Sequence, residues 1–291
     1  MNAVDLSPLQ IALSAVEVLA ILGGAFLVIR QFASPVRRSA LLQSNRLGHW
    51  PITGVEVALL LLLVFLLAIT GQSLAALAFQ RALRAVPDPA AAEVAVYGLA
   101  FHLAGLAGWP VFHLLRRRLY ADYQAAPPEP EPATSAPFWP DSVRLGVAAV
   151  LMALPLLTVT GLGWGALLHA LGLPEEPQDL IAIFGRARSP LVVAGMLGVA
   201  CVVAPVNEEF IFRRGLFRFL RQRFGRLAAF AVSSLLFATL HLNWASFLPL
   251  AVFGFVLAAA YEATGDIRVS IIAHGLFNLN TVVYILSGLP Q

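Results

Sequence analysis

Long apolar runs with very few charges follow one another along this 291-residue chain, of which 59% is hydrophobic. A run of about twenty apolar residues can cross a bilayer as a helix, which satisfies its own backbone hydrogen bonds there. The runs therefore predict an all-α fold, a polytopic transmembrane helix bundle with about eight spans. These spans lie at about 6–29, 52–79, 94–115, 145–171, 191–224, 227–242, 247–261 and 269–289.

A proline-rich segment divides the chain into two membrane regions. Residues 125–140 include Ala-Pro-Pro-Glu-Pro-Glu-Pro, an extended and solvated sequence that we interpret as a cytoplasmic linker. The linker separates an N-terminal three-span membrane unit at 1–124 from a second membrane domain at 141–291. We expect the second domain to carry the functional site, because the most unusual polar residues of the spans lie in it.

The distribution of arginines predicts the orientation of the chain. With eight spans, fifteen of the nineteen basic residues fall in loops on one side of the membrane and four on the other. The positive-inside rule makes the first side cytoplasmic. We expect an integral protein of the bacterial plasma (inner) membrane, with an active site open toward the cytoplasm. The arginines cluster at span ends and form no single basic face, so no nucleic-acid partner is expected.

Two adjacent carboxylates and an arginine interrupt the fifth span, in the sequence Pro205-Val-Asn-Glu208-Glu209-Phe-Ile-Phe-Arg213. Ionisable groups at membrane depth are candidates for a functional site. Glu209 and Arg213 are four residues apart and can pair on one helix face. Glu208 lies about 100° around the helix and is left free to face a cavity. The alternative is a helix end in the headgroup region, followed by cytoplasmic arginines.

Two further polar pairs lie in later spans. Phe237 and His241 are four residues apart in the sixth span, and His274 and Asn278 are four apart in the eighth. The fifth and sixth spans form a helical hairpin with arms of similar length, which places His241 at the depth of the glutamates. The eighth span starts at the same end of the bundle. The spacing therefore allows all three groups to share one cavity.

Together, the patterns E-E-x-x-x-R, F-x-x-x-H and H-x-x-x-N resemble those of the CPBP intramembrane protease family, also called the ABI family. This is the type II CAAX prenyl endopeptidase and bacteriocin-processing group, and the resemblance covers roughly residues 191–289. It implies an intramembrane endopeptidase that acts on a membrane-associated peptide or a lipidated protein. Its catalytic residues would be Glu208, His241, His274 and Asn278, with Glu209 and Arg213 in structural or orienting roles.

These residue types suit peptide hydrolysis. A carboxylate and a neutral histidine can activate water. A second histidine and an asparagine amide on one helix face can donate hydrogen bonds to the oxyanion of a tetrahedral intermediate. The resemblance assigns the first role to Glu208 and His241, and the second to His274 and Asn278.

Other interpretations stay open at this stage. We expect no cofactor, because the zinc motif His-Glu-x-x-His is missing from the sequence, although a Glu–His–His metal set fits by ligand type. His102 and His113 share a face of the third span and are interpreted as packing residues. The chain could instead be a non-catalytic scaffold or immunity-type protein held together by its polar cluster. A proton-coupled transporter would use Glu208, His241 and His274 as a relay.

Overall fold

Ten helices make up the secondary structure of residues 6–119, 139–176 and 179–288, which the computed structural model describes, and those residues contain no β-strand. The seventh helix is continuous but contains two π-helical segments, Val199–Val203 and Phe210–Phe217. In chain order the helices are α1 (Pro8–Ala33), α2 (Pro35–Gln43), α3 (Gly54–Leu83), α4 (Pro89–Leu119), α5 (Trp139–Leu171), α6 (Asp179–Arg186), α7 (Pro190–Arg223), α8 (Gly225–Thr239), α9 (Trp244–Thr264) and α10 (Ile267–Ser287).

The number of spans agrees with the apolar runs of the sequence. Seven helices are long and apolar enough to cross a membrane, and the shorter apolar helix α8 occupies the place of the predicted sixth span. The predicted all-α polytopic bundle is thus confirmed. With 15 residues, α8 measures about 22 Å, less than the ~30 Å of a hydrocarbon core. The sixth span was predicted to reach residue 242. Because α8 ends at Thr239, His241 lies beyond the helix and not within it.

The two membrane regions share a hydrophobic core. Val64 of α3 and Trp109 of α4 belong to the same buried cluster as Phe212 of α7. Most of the linker predicted at 125–140 lies outside the described residues. Its last two residues are described and begin α5 at Trp139.

The outer surface of the bundle is apolar. On α1, Leu19, Leu22 and Phe26 each expose more than half of their surface. This helix packs mainly against α5. An apolar surface of this size is unfavourable in water and suits contact with lipid.

Arginines hold one end of the bundle together. Nη2 of Arg218 donates to the backbone oxygen of Gly48 at 2.9 Å, and Glu262 accepts from Arg221 at 2.6 Å. The helices α4, α7 and α9 end here, and α5, α8 and α10 begin here. We call it the arginine-rich end.

The opposite end is held by the loop between α3 and α4. The carboxylate of Asp88 accepts hydrogen bonds from the backbone N–H groups of Ser189 and Arg188, directly before α7. These hydrogen bonds hold the pKa of Asp88 below its usual value. Because the folded-state pKa is lowered, this contact stabilises the fold at neutral pH, and its contribution is lost as the pH falls through that pKa.

Candidate active site

All four side chains predicted to be catalytic line one cavity of about 420 Å³. Glu208 comes from α7, His241 from the turn after α8, and His274 and Asn278 from α10. Most of the remaining wall is apolar and comes from α4, α5, α6, α7, α9 and α10. The fold thus brings together polar groups from three separate segments in a largely apolar space.

A buried chain of charged groups lies behind the cavity. Glu209 and Arg213 are 0% exposed, and Oε1 of Glu209 lies 3.1 Å from Nη1 of Arg213. The same oxygen lies 2.9 Å from Nδ1 of His274. Nε2 of His274 lies 3.7 Å from Oε2 of Glu208. The imidazole therefore stands between the two adjacent glutamates, one on each side of the ring.

Phe237 is the packing centre of the site. The guanidinium of Arg213 lies 4.6 Å from its ring centre, and Nη2 of the same arginine donates to the backbone oxygen of Gly254 at 3.1 Å. The rings of His241 and His274 lie 4.9 and 5.6 Å from the Phe237 ring. In the sequence, Phe237 was recognised only as part of the pattern F-x-x-x-H. Its spacing of four residues from His241 is the feature that could have indicated its packing role.

One hydrogen bond fixes the orientation of His241. Its Nδ1 lies 2.7 Å from the backbone oxygen of Phe237. Because a carbonyl oxygen only accepts hydrogen bonds, Nδ1 carries the proton, and Nε2 of the neutral ring has a free lone pair. That nitrogen can accept a proton from water or bind a metal ion.

Glu208 differs from Glu209 in having no strong partner. Its Oε2 receives no hydrogen bond from any residue that the structure describes, and its side chain is 24% exposed. Glu209 is instead held by Arg213 and His274. Because the partly exposed Glu208 side chain lines the cavity, its carboxylate can accept a proton from a water molecule there.

Asn278 is fixed by the backbone of α7. Its Nδ2 donates to the carbonyl oxygen of Ala200 at 2.7 Å, within the first π-helical segment. Gly275 allows this close approach, since a Cβ there would lie 2.4 Å from the carbonyl oxygen of Cys201. One amide hydrogen of Asn278 is used in this contact. The second has no acceptor among residues 6–119, 139–176 and 179–288.

His102 is a further polar side chain of the cavity, which the sequence patterns did not indicate. His102 of α4 lines it, and its Nδ1 lies 3.2 Å from Nδ2 of Asn207, directly before Glu208. The interpretation of His102 as a packing residue is therefore incomplete. Its ring lines the cavity and contacts the part of α7 that carries the glutamates. His113 packs on Trp109, as expected of a packing residue.

The cavity extends away from the arginine-rich end. From the glutamates it follows the first halves of α4 and α9 and the second half of α10, and α6 lines it as well. The arginine distribution had predicted an opening at the arginine-rich end instead. About sixteen residues of helix, roughly 24 Å, separate the glutamates from the tip of the α7–α8 hairpin, so the site lies deep in the bundle.

The arrangement leaves few open metal ligands. Within the described ranges, no group of three histidine, cysteine or carboxylate side chains is placed to hold one metal ion. Nδ1 of His274 is bound by Glu209, and Nδ1 of His241 by a backbone oxygen, so one nitrogen of each ring is open. A site without a cofactor stays a prediction.

Two comparisons relate this region to membrane peptidases. Residues 190–280 match the model of the family described as type II CAAX prenyl endopeptidase Rce1-like. The Bacillus subtilis (strain 168) protein named "Putative membrane peptidase YdiL" is 30% identical over 115 residues. These residues are 40% of this chain and 46% of that relative, so the chain spans about half the length of the relative. No solved structure matches the chain significantly.

Proposed function

We propose that this chain is an intramembrane endopeptidase of the CPBP family, related to type II CAAX prenyl endopeptidases, because residues 190–280 match that family's model and a named membrane peptidase shares 115 aligned residues. It hydrolyses a peptide bond with water that a carboxylate and a histidine activate. The observation that carries this proposal is the convergence of Glu208, His241, His274 and Asn278 on one cavity within a bundle of membrane-spanning helices. The apolar wall suits a membrane-associated peptide or a lipid-modified protein as substrate.

The reaction begins when water attacks the carbonyl carbon of the scissile bond. Glu208 accepts a proton from this water, and Nε2 of His241 accepts a hydrogen bond that orients it. The new carbon–oxygen bond converts the carbonyl oxygen into an oxyanion. Collapse of this intermediate breaks the carbon–nitrogen bond, and the proton on Glu208 passes to the leaving amine. The products are a carboxylic acid and an amine, and the enzyme returns to its starting state.

His274 and Asn278 stabilise the oxyanion in this scheme. Since Nδ1 of His274 donates to Glu209, Nε2 can donate only when the ring is protonated. In this scheme His274 acts as the charged donor of the pair. The second amide hydrogen of Asn278 supplies an uncharged donor.

Hydrolysis can be tested directly. We expect the purified protein in nanodiscs to cleave a membrane-associated peptide, as detected by mass spectrometry. In water enriched in heavy oxygen, each new C-terminal carboxyl group should carry an oxygen atom from the solvent. A scaffold would release no peptide, and a transporter would move protons across liposomes without cleavage, so either result would contradict the proposal.

Asn278→Ala should lower the rate of cleavage about a hundredfold or more, because loss of one oxyanion donor typically costs ~3 kcal/mol. The amide does not titrate, so KM and the pH optimum should change little. Single-turnover kinetics measure this rate. Asn280→Ala is the matched control, because Asn280 lies two residues further on and contacts Glu17 of α1 outside the cavity. It should keep full activity.

Two results would contradict this assignment. One is near wild-type turnover by Asn278→Ala. The other is a wild-type protein that a chelator inactivates and zinc or another divalent ion restores. The second result would make His274 a metal ligand and not an oxyanion donor.

We propose that the arginine-rich end faces the cytoplasm of a bacterial plasma membrane. Reporters that work only in the cytoplasm should be active when fused after Arg118 or Arg226, and inactive when fused near Asp179. The reverse pattern would overturn this orientation.

In this orientation the cavity extends toward the non-cytoplasmic end. A substrate would then enter from there or laterally from the bilayer, and not through the cytoplasmic opening that the sequence suggested.

A further inference from the structure

We propose that His102 and Asn207 form a positioning pair for Glu208, through which the N-terminal helices take part in the active site. This inference rests on the proposed function. His102 lies on α4, outside the region 190–280 that matches the peptidase family. A role for it therefore follows from this structure and not from the family pattern.

The contact involves a buried amide with one partner. Asn207 is 1% exposed, and its Nδ2 lies 3.2 Å from Nδ1 of His102. Its Oδ1 is buried and has no hydrogen-bond partner in the part of the chain that the structure describes. Because an unpaired buried amide is unfavourable, the bond to His102 determines how the Asn207 side chain is held.

Because Asn207 directly precedes Glu208 on α7, its contact with His102 affects how Glu208 is placed. Asn207 and Glu208 lie in a short α-helical stretch, Ala204–Glu209, with a π-helical segment on each side. The wider π-helical turns change the rotation of the helix before and after this stretch. A fixed contact at Asn207 therefore sets the direction in which the neighbouring Glu208 carboxylate enters the cavity.

The surface of α4 is shaped to receive the amide. Gly105 follows His102 by about one helical turn. A Cβ at Gly105 would lie 3.1 Å from Nδ2 of Asn207 and 3.4 Å from Cβ of Ala68. A larger side chain here would separate α4 from Asn207, so this glycine allows the contact.

The other edge of the His102 ring remains open. The ring lines the same cavity as Glu208. With Nδ1 accepting from Asn207, the neutral ring carries its proton on Nε2. Two functions of the ring are thus separable by substitution: the Nδ1 contact to Asn207, and an Nε2 contact to substrate.

Substitutions at His102 distinguish these functions. His102→Leu should lower kcat ten- to hundredfold and leave KM within about twofold, because a small misplacement of a catalytic group has an effect of this size. His102→Asn places an amide near the position of Nδ1 and should restore most of kcat. His102→Gln places it near Nε2 and should not. Restoration by Gln and not by Asn would overturn the proposal, because His102 would then act on the substrate.

A double-variant cycle tests whether the two residues act as a pair. Asn207→Leu should lower kcat as His102→Leu does, and the double variant should be no worse than either single variant. His113→Leu is the control, because His113 shares the α4 face but does not line the cavity, and it should keep wild-type kcat. Additive losses, or a His102→Leu variant with wild-type kcat, would overturn the pair.

A spectroscopic measurement separates this inference from the proposed function. If the wild type cleaves no peptide, the proposed function fails, but the contact can still be tested in nitrogen-labelled protein. Asn207→Leu should shift the ring nitrogen resonances of His102, which the His102→Asn spectrum identifies, and leave those of His113 unchanged. Unchanged His102 resonances would overturn the pair.

Discussion

Glu208→Gln is expected to lower the rate of peptide cleavage by roughly a hundred- to ten-thousandfold, because an amide does not accept a proton from water. The substitution keeps the size and shape of the side chain. Oε2 of Glu208 has no hydrogen-bond partner among the described residues, so few contacts are lost and the protein should stay folded. Single-turnover cleavage and thermal unfolding in detergent measure the two effects separately.

Glu17→Gln is the matched control for this experiment. Glu17 also lies on a membrane-spanning helix, but it contacts Asn280 in a groove between α1 and α10, separate from the cavity. This variant should keep wild-type cleavage. If Glu208→Gln retained near wild-type turnover on a verified substrate, Glu208 would not be the base, and another group would have to activate the water.

The second large effect concerns stability. Arg213→Leu should lower the free energy of unfolding by about 3–5 kcal/mol, because it leaves the Glu209 carboxylate buried without its opposite charge. Both side chains are 0% exposed, so water cannot screen the remaining charge. Glu209→Gln should destabilise the protein in the same way, and it also weakens the contact that orients His274. Unfolding in detergent, followed by circular dichroism, measures these changes.

Arg214→Leu is the control for Arg213→Leu. Arg214 is the next residue and only partly buried, and its guanidinium lies 5.6 Å from the ring of Phe210. Loss of the Arg214 side chain should change the free energy of unfolding much less.

The double variant Glu209→Gln/Arg213→Leu should be less destabilised than the sum of the single variants, because no unpaired charge of the pair remains. An Arg213→Leu protein as stable as the wild type would show that the pair does not support the fold.

The pair also explains how two adjacent glutamates can have different roles. Glu209 is fully buried and is held by Arg213 and His274, whereas Glu208 lines the cavity with a side chain that is 24% exposed. Since consecutive residues on a helix differ in direction by about 100°, the helix directs Glu209 toward the buried charged groups and Glu208 toward the cavity.

The sequence alone was sufficient to predict the helical type of the elements and the number of apolar spans, but not the short helices α2 and α6. Each span must satisfy its own backbone hydrogen bonds in lipid, so long apolar runs leave helices as the expected structure. The i, i+4 spacing predicted the pairing of Glu209 with Arg213, because residues four apart share a face of any helix. The predicted contact of Phe237 with His241 is also present, although α8 ends at Thr239 before His241. The similar lengths of the two hairpin arms also predicted that His241 lies at the depth of the glutamates, and both line the same cavity.

Only the tertiary structure decided how these local units combine. The position of His274 between the two glutamates, the contact of His102 with Asn207 and the direction of the cavity all depend on which helices become neighbours. Helix periodicity carries no information about that choice, which the close packing of whole helix faces determines. The end of α8 before His241 and the π-helical turns of α7 depend on the same packing, because local propensity differs too little to fix them.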